Sequence, residues 1–119
     1  MTDMIGDVTI RALTQAMDGL ALRQRTIADN VANIETPGFL SGKIDFETAL
    51  KGALADGADP RSAGVATARS LEPTLPNGNN VNLDEESLAS TQTLLTTQLA
   101  SQALTSKFQL LRIAITGQA

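Results

Sequence analysis

Residues 26–39 read TIADNVANIETPGF, and the fold turns on how this stretch ends the run before it. Upstream, Ile10, Leu13, Met17, Leu20, Ile27, Val31 and Ile34 follow alternating steps of three and four residues, interrupted only by Gln24. That spacing is the a/d seam of a heptad, and it predicts a long amphipathic helix over 7–34 that needs a helical partner. Arg11, Asp18, Arg23, Arg25 and Asp29 fall off the seam. Asn30 and Asn33 are out of character in such a helix, because their side chains compete for backbone hydrogen bonds. Three-residue spacing sets them on nearly the same side, while Ala28 and Ala32, four apart, let another backbone come close. Pro37 then disfavours helix at Thr36, and Gly38 permits a sharp change of direction. The stretch is a helix end that hydrogen-bonds to something and leaves abruptly; a purely local C-terminal cap would draw on the same residues.

The partner helix is expected over 82–116. It opens at NLDEESL, where Asn82 and Glu85 form an N-x-x-E variant of the capping box and Asp84, Glu85 and Glu86 put negative charge where the helix dipole favours it. Leu88, Leu95 and Leu99 mark one face and Leu94, Leu104, Phe108, Leu111 and Ile115 a rotated one, so this helix is built for contacts on two sides. Lys107 and Arg112 lie towards its C-terminal end, as the dipole prefers, and Gly117 is a natural stop.

Residues 35–81 have a different character. All four prolines lie between 37 and 76, among scattered glycines, and ADGADPRSAG carries no periodicity. Residues 45–54 predict a short helix with Phe46, Leu50 and Leu54 on one face, VATARSL a short strand, and Asn77-Gly78 a turn. The expected architecture is therefore mainly α: a single domain over 1–119 whose long N- and C-terminal helices pair as an antiparallel, coiled-coil-like hairpin, joined by an extended or partly disordered Gly/Pro-rich connector.

Composition closes off most chemistry. The chain has 119 residues, 42% hydrophobic and 18% charged, with no Cys, no His, no Trp, no Tyr and three Phe. Disulfides, thiol nucleophiles, imidazole bases and the usual zinc ligands are gone together, and no catalytic, cofactor-binding or metal-binding residues are expected. Asp56 and Asp59, like Asp84 to Glu86, lack the ligand count and turn glycine of a calcium loop. The many Ser and Thr of 87–106 have only Lys107 nearby to activate them. A net charge of -4, with unclustered Lys and Arg, argues against nucleic acid, and no glycine motif cradles a phosphate-bearing small substrate. No apolar run approaches the length of a membrane span, and two acids stand where a secretory signal would carry a basic segment. With so little aromatic surface, an isolated monomer is expected to be marginal.

One further pattern is specific. Ala28, Asn30, Val31, Ala32, Asn33, Thr36, Pro37, Gly38 and Phe39 match the signature of bacterial flagellar rod and hook proteins. GKIDFETAL, NGNNVNLDEES and SKFQLLRIAITG resemble segments of the proximal branch of the flagellar basal-body rod protein family, at positions covering 8–50 and 77–117. Thr97 stands where that branch commonly has a tyrosine, and 55–76 match no segment of the family. The resemblance implies a structural, non-enzymatic subunit without cofactor. It would be exported by the flagellar type III apparatus without a cleaved signal and assemble helically, outside the cytoplasmic membrane, into the base of a torque-transmitting shaft. The partners it implies are further copies, other rod subunits, and membrane-ring and rod-ring adaptor proteins. On that basis the nine signature residues are expected at subunit interfaces, and Leu13, Met17, Leu20, Ile27, Leu104, Phe108, Leu111 and Ile115 on the helix seams. Two other readings compete. A secreted helical adaptor or effector would fold only on its partner, and a carboxylate or serine hydrolase would need a pocket holding a perturbed acid or an activated serine.

Overall fold

The protein is described by a computed structural model over residues 2–117; Met1, Gln118 and Ala119 of the expected 1–119 domain lie outside the described residues. Two long helices dominate: α1, Thr2–Ala32, and α3, Leu83–Thr116. Between them come strand β1, Gly42–Ile44, helix α2, Phe46–Ala55, a 3-10 turn, Pro60–Ser62, and strand β2, Thr67–Arg69. Helix α1 begins earlier than its apolar periodicity suggested, running through Gly6, since no proline precedes Ile10. It ends at Ala32, where the Asn33 and Ile34 amides tighten onto Asn30 and Val31 carbonyls at 3.2 and 3.3 Å, the usual way a last turn satisfies its orphan groups.

The connector is ordered, not extended. β1 and β2 pair antiparallel, with Gly42 opposite Arg69, Lys43 opposite Ala68 and Ile44 opposite Thr67. α2 starts where the Asp45 carboxylate accepts the Thr48 amide at 3.1 Å. The aspartate at 59 caps the 3-10 turn through the Arg61 amide and pairs with Arg11 at 2.9 Å, while Arg61 pairs with Asp18 at 2.7 Å. Gln15 donates to the Ala63 carbonyl from the same flank of α1. These bonds strap the loop along α1, and a sequence scan for periodicity does not detect them because each joins residues more than forty positions apart.

Order in the connector has an apolar cause as well. The core cluster is Leu20, Ile44 and Phe46, with Ala16, Leu22, Val65 and Ala100 packed against it. Four stretches of chain therefore meet at one place, and the single large ring there carries much of the burial that the composition otherwise lacks. Gly19 makes room for it: a Cβ at that position would sit 2.4 Å from the Phe46 ring. Arg23 seals the edge, stacked 4.8 Å from the ring centroid, paired with Glu47 at 2.6 Å and donating to the Ile44 carbonyl.

α1 and α3 pack along each other, and of the leucines expected of α3 only Leu104 and Leu111 are half-buried. Its covered side chains are Glu86, Ala89, Ser90, Thr93, Thr97, Ala100, Leu104, Lys107 and Leu111, which but for Ala89 follow four- and three-residue steps. Most of these are small or polar, which lets the helix backbones approach. Leu88, Leu94, Leu95 and Leu99 stand in solvent instead. So do two of the four α3 seam residues: Phe108 is 54% and Ile115 83% exposed, whereas Leu104 and Leu111 are half-buried.

Candidate assembly surface

The junction of α1, β1 and α3 is built from amides. Asn30 is 1% exposed; its side chain donates to the Gly42 carbonyl at 3.0 Å and accepts the Gly42 amide at 2.7 Å. The carboxamide thus takes the place of a neighbouring strand for the outer edge of β1, satisfying two buried backbone groups at once. Asn33 works locally: its amide reaches the Asp29 carbonyl at 2.8 Å, and its oxygen accepts the Thr36 hydroxyl at 3.1 Å. Of the two, Asn30 departs from the expectation of a subunit contact, because it is turned wholly inward.

The other half of the junction comes from 77–82, which carries four asparagines in six residues. Asn79, fully buried, donates to the Asn33 and Thr36 carbonyls at 2.8 and 2.9 Å and accepts the Val81 amide at 2.8 Å. Asn80 accepts the Ser41 amide at 2.7 Å and donates to the Ser70 and Glu72 carbonyls. Asn82 caps α3, taking the Asp84 amide at 3.0 Å. Gly38 and Gly78, with φ of +74° and +84°, meet back to back, and a Cβ on Gly78 would lie 3.2 Å from the Gly38 Cα. Only glycine fits that crossing without strain. The turn after α1 is thereby tied to the chain just before α3, a role for Asn79 and Asn80 that sequence reasoning missed. The density of amides next to a helix cap was the available signal.

Outside this knot, the remaining signature residues face outward or sideways. Ala28, Val31 and Ala32 line an open groove with Gln24, Ile27, Leu83, Glu86, Ser87 and Ser90. Gln24, the polar break in the α1 seam, bridges to Ser90 Oγ at 3.0 Å. At the groove's base Glu86 is 2% exposed, with Lys43 Nζ at 3.8 Å. Thr36, Pro37 and Gly38 form an exposed apex, and Phe39 is half-buried beneath Arg69, whose guanidinium lies 5.3 Å from the ring centroid. Along α1, Leu13 and Met17 are half-buried and Leu20 and Ile27 buried.

Asp45 has its carboxylate held below the ordinary range by the Thr48 hydroxyl and amide. Among the described residues no group of three or more acids is placed to hold a metal ion, and no helix is long and apolar enough to cross a membrane. What the arrangement offers is shape: an amide-locked end and, along α3, apolar side chains that the subunit leaves uncovered.

Comparison with known proteins points the same way. Residues 10–39 match the family described as flagella basal body rod protein. The flagellar basal body rod protein FlgB of Borreliella burgdorferi is 31% identical, over 83% of this chain and 89% of its own. The FlgB proteins of Bacillus subtilis and Escherichia coli are 27% and 29% identical, over 92% and 94% of this chain and 94% and 88% of theirs.

Proposed function

The chain belongs to the FlgB-type flagellar basal body rod proteins and is a structural subunit of that rod, and we propose that it works as a two-helix strut whose uncovered apolar faces pack against neighbouring rod subunits. Pairing of α1 and α3 as an antiparallel hairpin is supported by the order of their contacts. Ala28 and Val31 share a groove with Leu83 and Ser87, Gln24 bonds to Ser90, and Ala100 packs against the cluster that holds Leu20. One observation carries the assembly reading: Leu88, Leu94, Leu95, Leu99, Phe108 and Ile115 are all exposed on one helix, apolar surface of the kind that marks a protein-protein contact. Neighbours that cover these faces supply the burial that the small core lacks, so folding and assembly are coupled.

In this reading the subunit transmits torque through packed helices and performs no chemistry. Its partners are further copies, other rod subunits, and the membrane-ring and rod-ring adaptor proteins beside them. It reaches its place outside the cytoplasmic membrane through the flagellar type III export apparatus, keeping its N-terminus. The signature contributes its exposed apex and the Ala28–Ala32 groove wall to these contacts, while Asn30 holds the wall in place from within. Replacing Leu95→Gln together with Leu99→Gln tests the reading. Export should persist, while rods fail to complete and swimming is lost; normal swimming with normal rods in electron micrographs would refute it. Pro37→Ala tests the apex in the same assay, and unchanged rods there would remove the special role given to it.

A further inference from the structure

The Asn77-Gly78 pair is left over from the assembly reading. An asparagine followed by glycine is the dipeptide most prone to lose its side-chain amide, because no Cβ obstructs ring closure. The Gly78 nitrogen, after giving its proton to base, attacks the Asn77 Cγ. A C–N bond closes a succinimide as the bond to the side-chain nitrogen breaks and ammonia leaves. Water then opens the ring at either carbonyl, leaving aspartate or isoaspartate. Glycine cannot be avoided at 78, given its φ of +84° and the Gly38 backbone 3.2 Å from any Cβ. The reactive dipeptide is therefore built into the junction.

The fold restrains it at the nucleophile. Residues 75–78 form a β-turn with Pro76 at its second position, and the Gly78 amide donates its hydrogen to the Leu75 carbonyl at 2.8 Å. The Asn77 backbone carbonyl is held by the Gly38 amide at 2.9 Å, and its side-chain oxygen by the Asn79 amide at 3.1 Å. The last bond would stabilise negative charge on that oxygen during attack, so restraint rests on the engaged Gly78 amide and the fixed turn. Asn77 itself is exposed, and water and base reach it freely.

We propose that Asn77-Gly78 is a fold-gated deamidation site, shut while the 75–78 turn is tied to Gly38 and open when that junction loosens or the chain is unfolded. Isoaspartate at 77 inserts a methylene into the backbone between the Gly38 and Asn79 contacts. A chain modified while unfolded then cannot rebuild the knot in register. The site acts as a clock on time spent unfolded, with water as its only co-reactant, and it does not depend on the identity of the assembly.

The test follows amide-to-acid conversion by mass spectrometry of the 70–107 peptide from the full chain, incubated in mildly alkaline buffer. One sample is held folded in sucrose, with helix content verified by circular dichroism, and the other in guanidinium chloride. Conversion should be at least about tenfold slower in the folded sample, because it then requires local opening. Pro76→Gly should speed the folded sample several-fold and leave the denatured rate unchanged. Asn77→Gln should abolish the conversion in both. Equal rates in the folded and denatured samples, no response to Pro76→Gly, or conversion persisting in Asn77→Gln would each overturn the proposal.

Discussion

The two ends of α3 solve opposite problems. At its start, Asn79, Asn80, Val81 and Glu86 are buried, the two asparagines bonded within the subunit, and no buried side-chain nitrogen or oxygen among the described residues lacks a partner. From Leu94 onward, Leu94, Leu95, Leu99, Phe108 and Ile115 stand exposed, while Thr97, Ala100, Leu104, Lys107 and Leu111 are half-buried. The first region is specified by directional bonds and is complete alone. The second is specified only by what covers it. The proposed strut, which would hold its own bend and bind neighbours along its length, accounts for this division: geometry is fixed by hydrogen bonds that cannot be exchanged for water without cost, and affinity is left in apolar area.

The sharpest way to break the contrast is at Asn30. Asn30→Ala leaves both Gly42 backbone groups buried without a partner, and each such loss costs about 1–3 kcal/mol. A total of about 2–6 kcal/mol is expected as a fall in the urea midpoint of the folded chain. Asn30→Asp keeps the acceptor for the Gly42 amide but sets a second oxygen against the carbonyl, so it should rescue little. If Asn30→Ala were neutral, the amide knot would not be what fixes the bend.

Gly78→Ala probes the same region by shape. The substitution forces a left-handed φ on an L-residue and presses its Cβ towards Gly38, for a cost of about 1–2 kcal/mol in the same midpoint. The outer face of α3 should respond in the opposite sense. Leu99→Gln, at a side chain 67% exposed, should change the stability of the isolated chain by less than about 0.5 kcal/mol while impairing rod assembly. A large loss of stability there would mean that the leucine is covered within the subunit.

The same division explains what the sequence made legible. Heptad spacing announced α1, Asn82 and two apolar faces announced α3, and 45–54 announced α2, because these signals are local and periodic. The inward face of α3 was misjudged because Thr93, Thr97 and Ala100 bury little apolar area, and their placement is set by how closely α1 approaches. The order of the connector was hidden for a similar reason. Arg61 with Asp18, and Asn80 with Ser41, are pairings between distant positions that no window of sequence contains. Within the candidate surface, the signature could be read as a hydrogen-bonding helix end. That Asn30 would grasp Gly42 and face inward depends on where β1 returns, and only the fold fixes that.

The smallest effect expected separates hydrogen bonding from burial. Asp45 accepts the Thr48 hydroxyl and amide at 2.8 and 3.1 Å, a bonded arrangement like that of Asn30, but in full solvent. Those bonds favour the carboxylate and hold its pKa below the ordinary 3.8. The unfolded chain therefore binds the proton first. The contribution is present above the unfolded value and is lost as pH falls from there through the lower folded value. Comparing urea midpoints of the parent and Asp45→Asn cancels the titration of the other acids. Their difference should be slight at neutral pH and shrink further below about pH 4. A difference at neutral pH as large as that of Asn30→Ala would mean that the number of hydrogen bonds, not their removal from water, sets the stability of the junction.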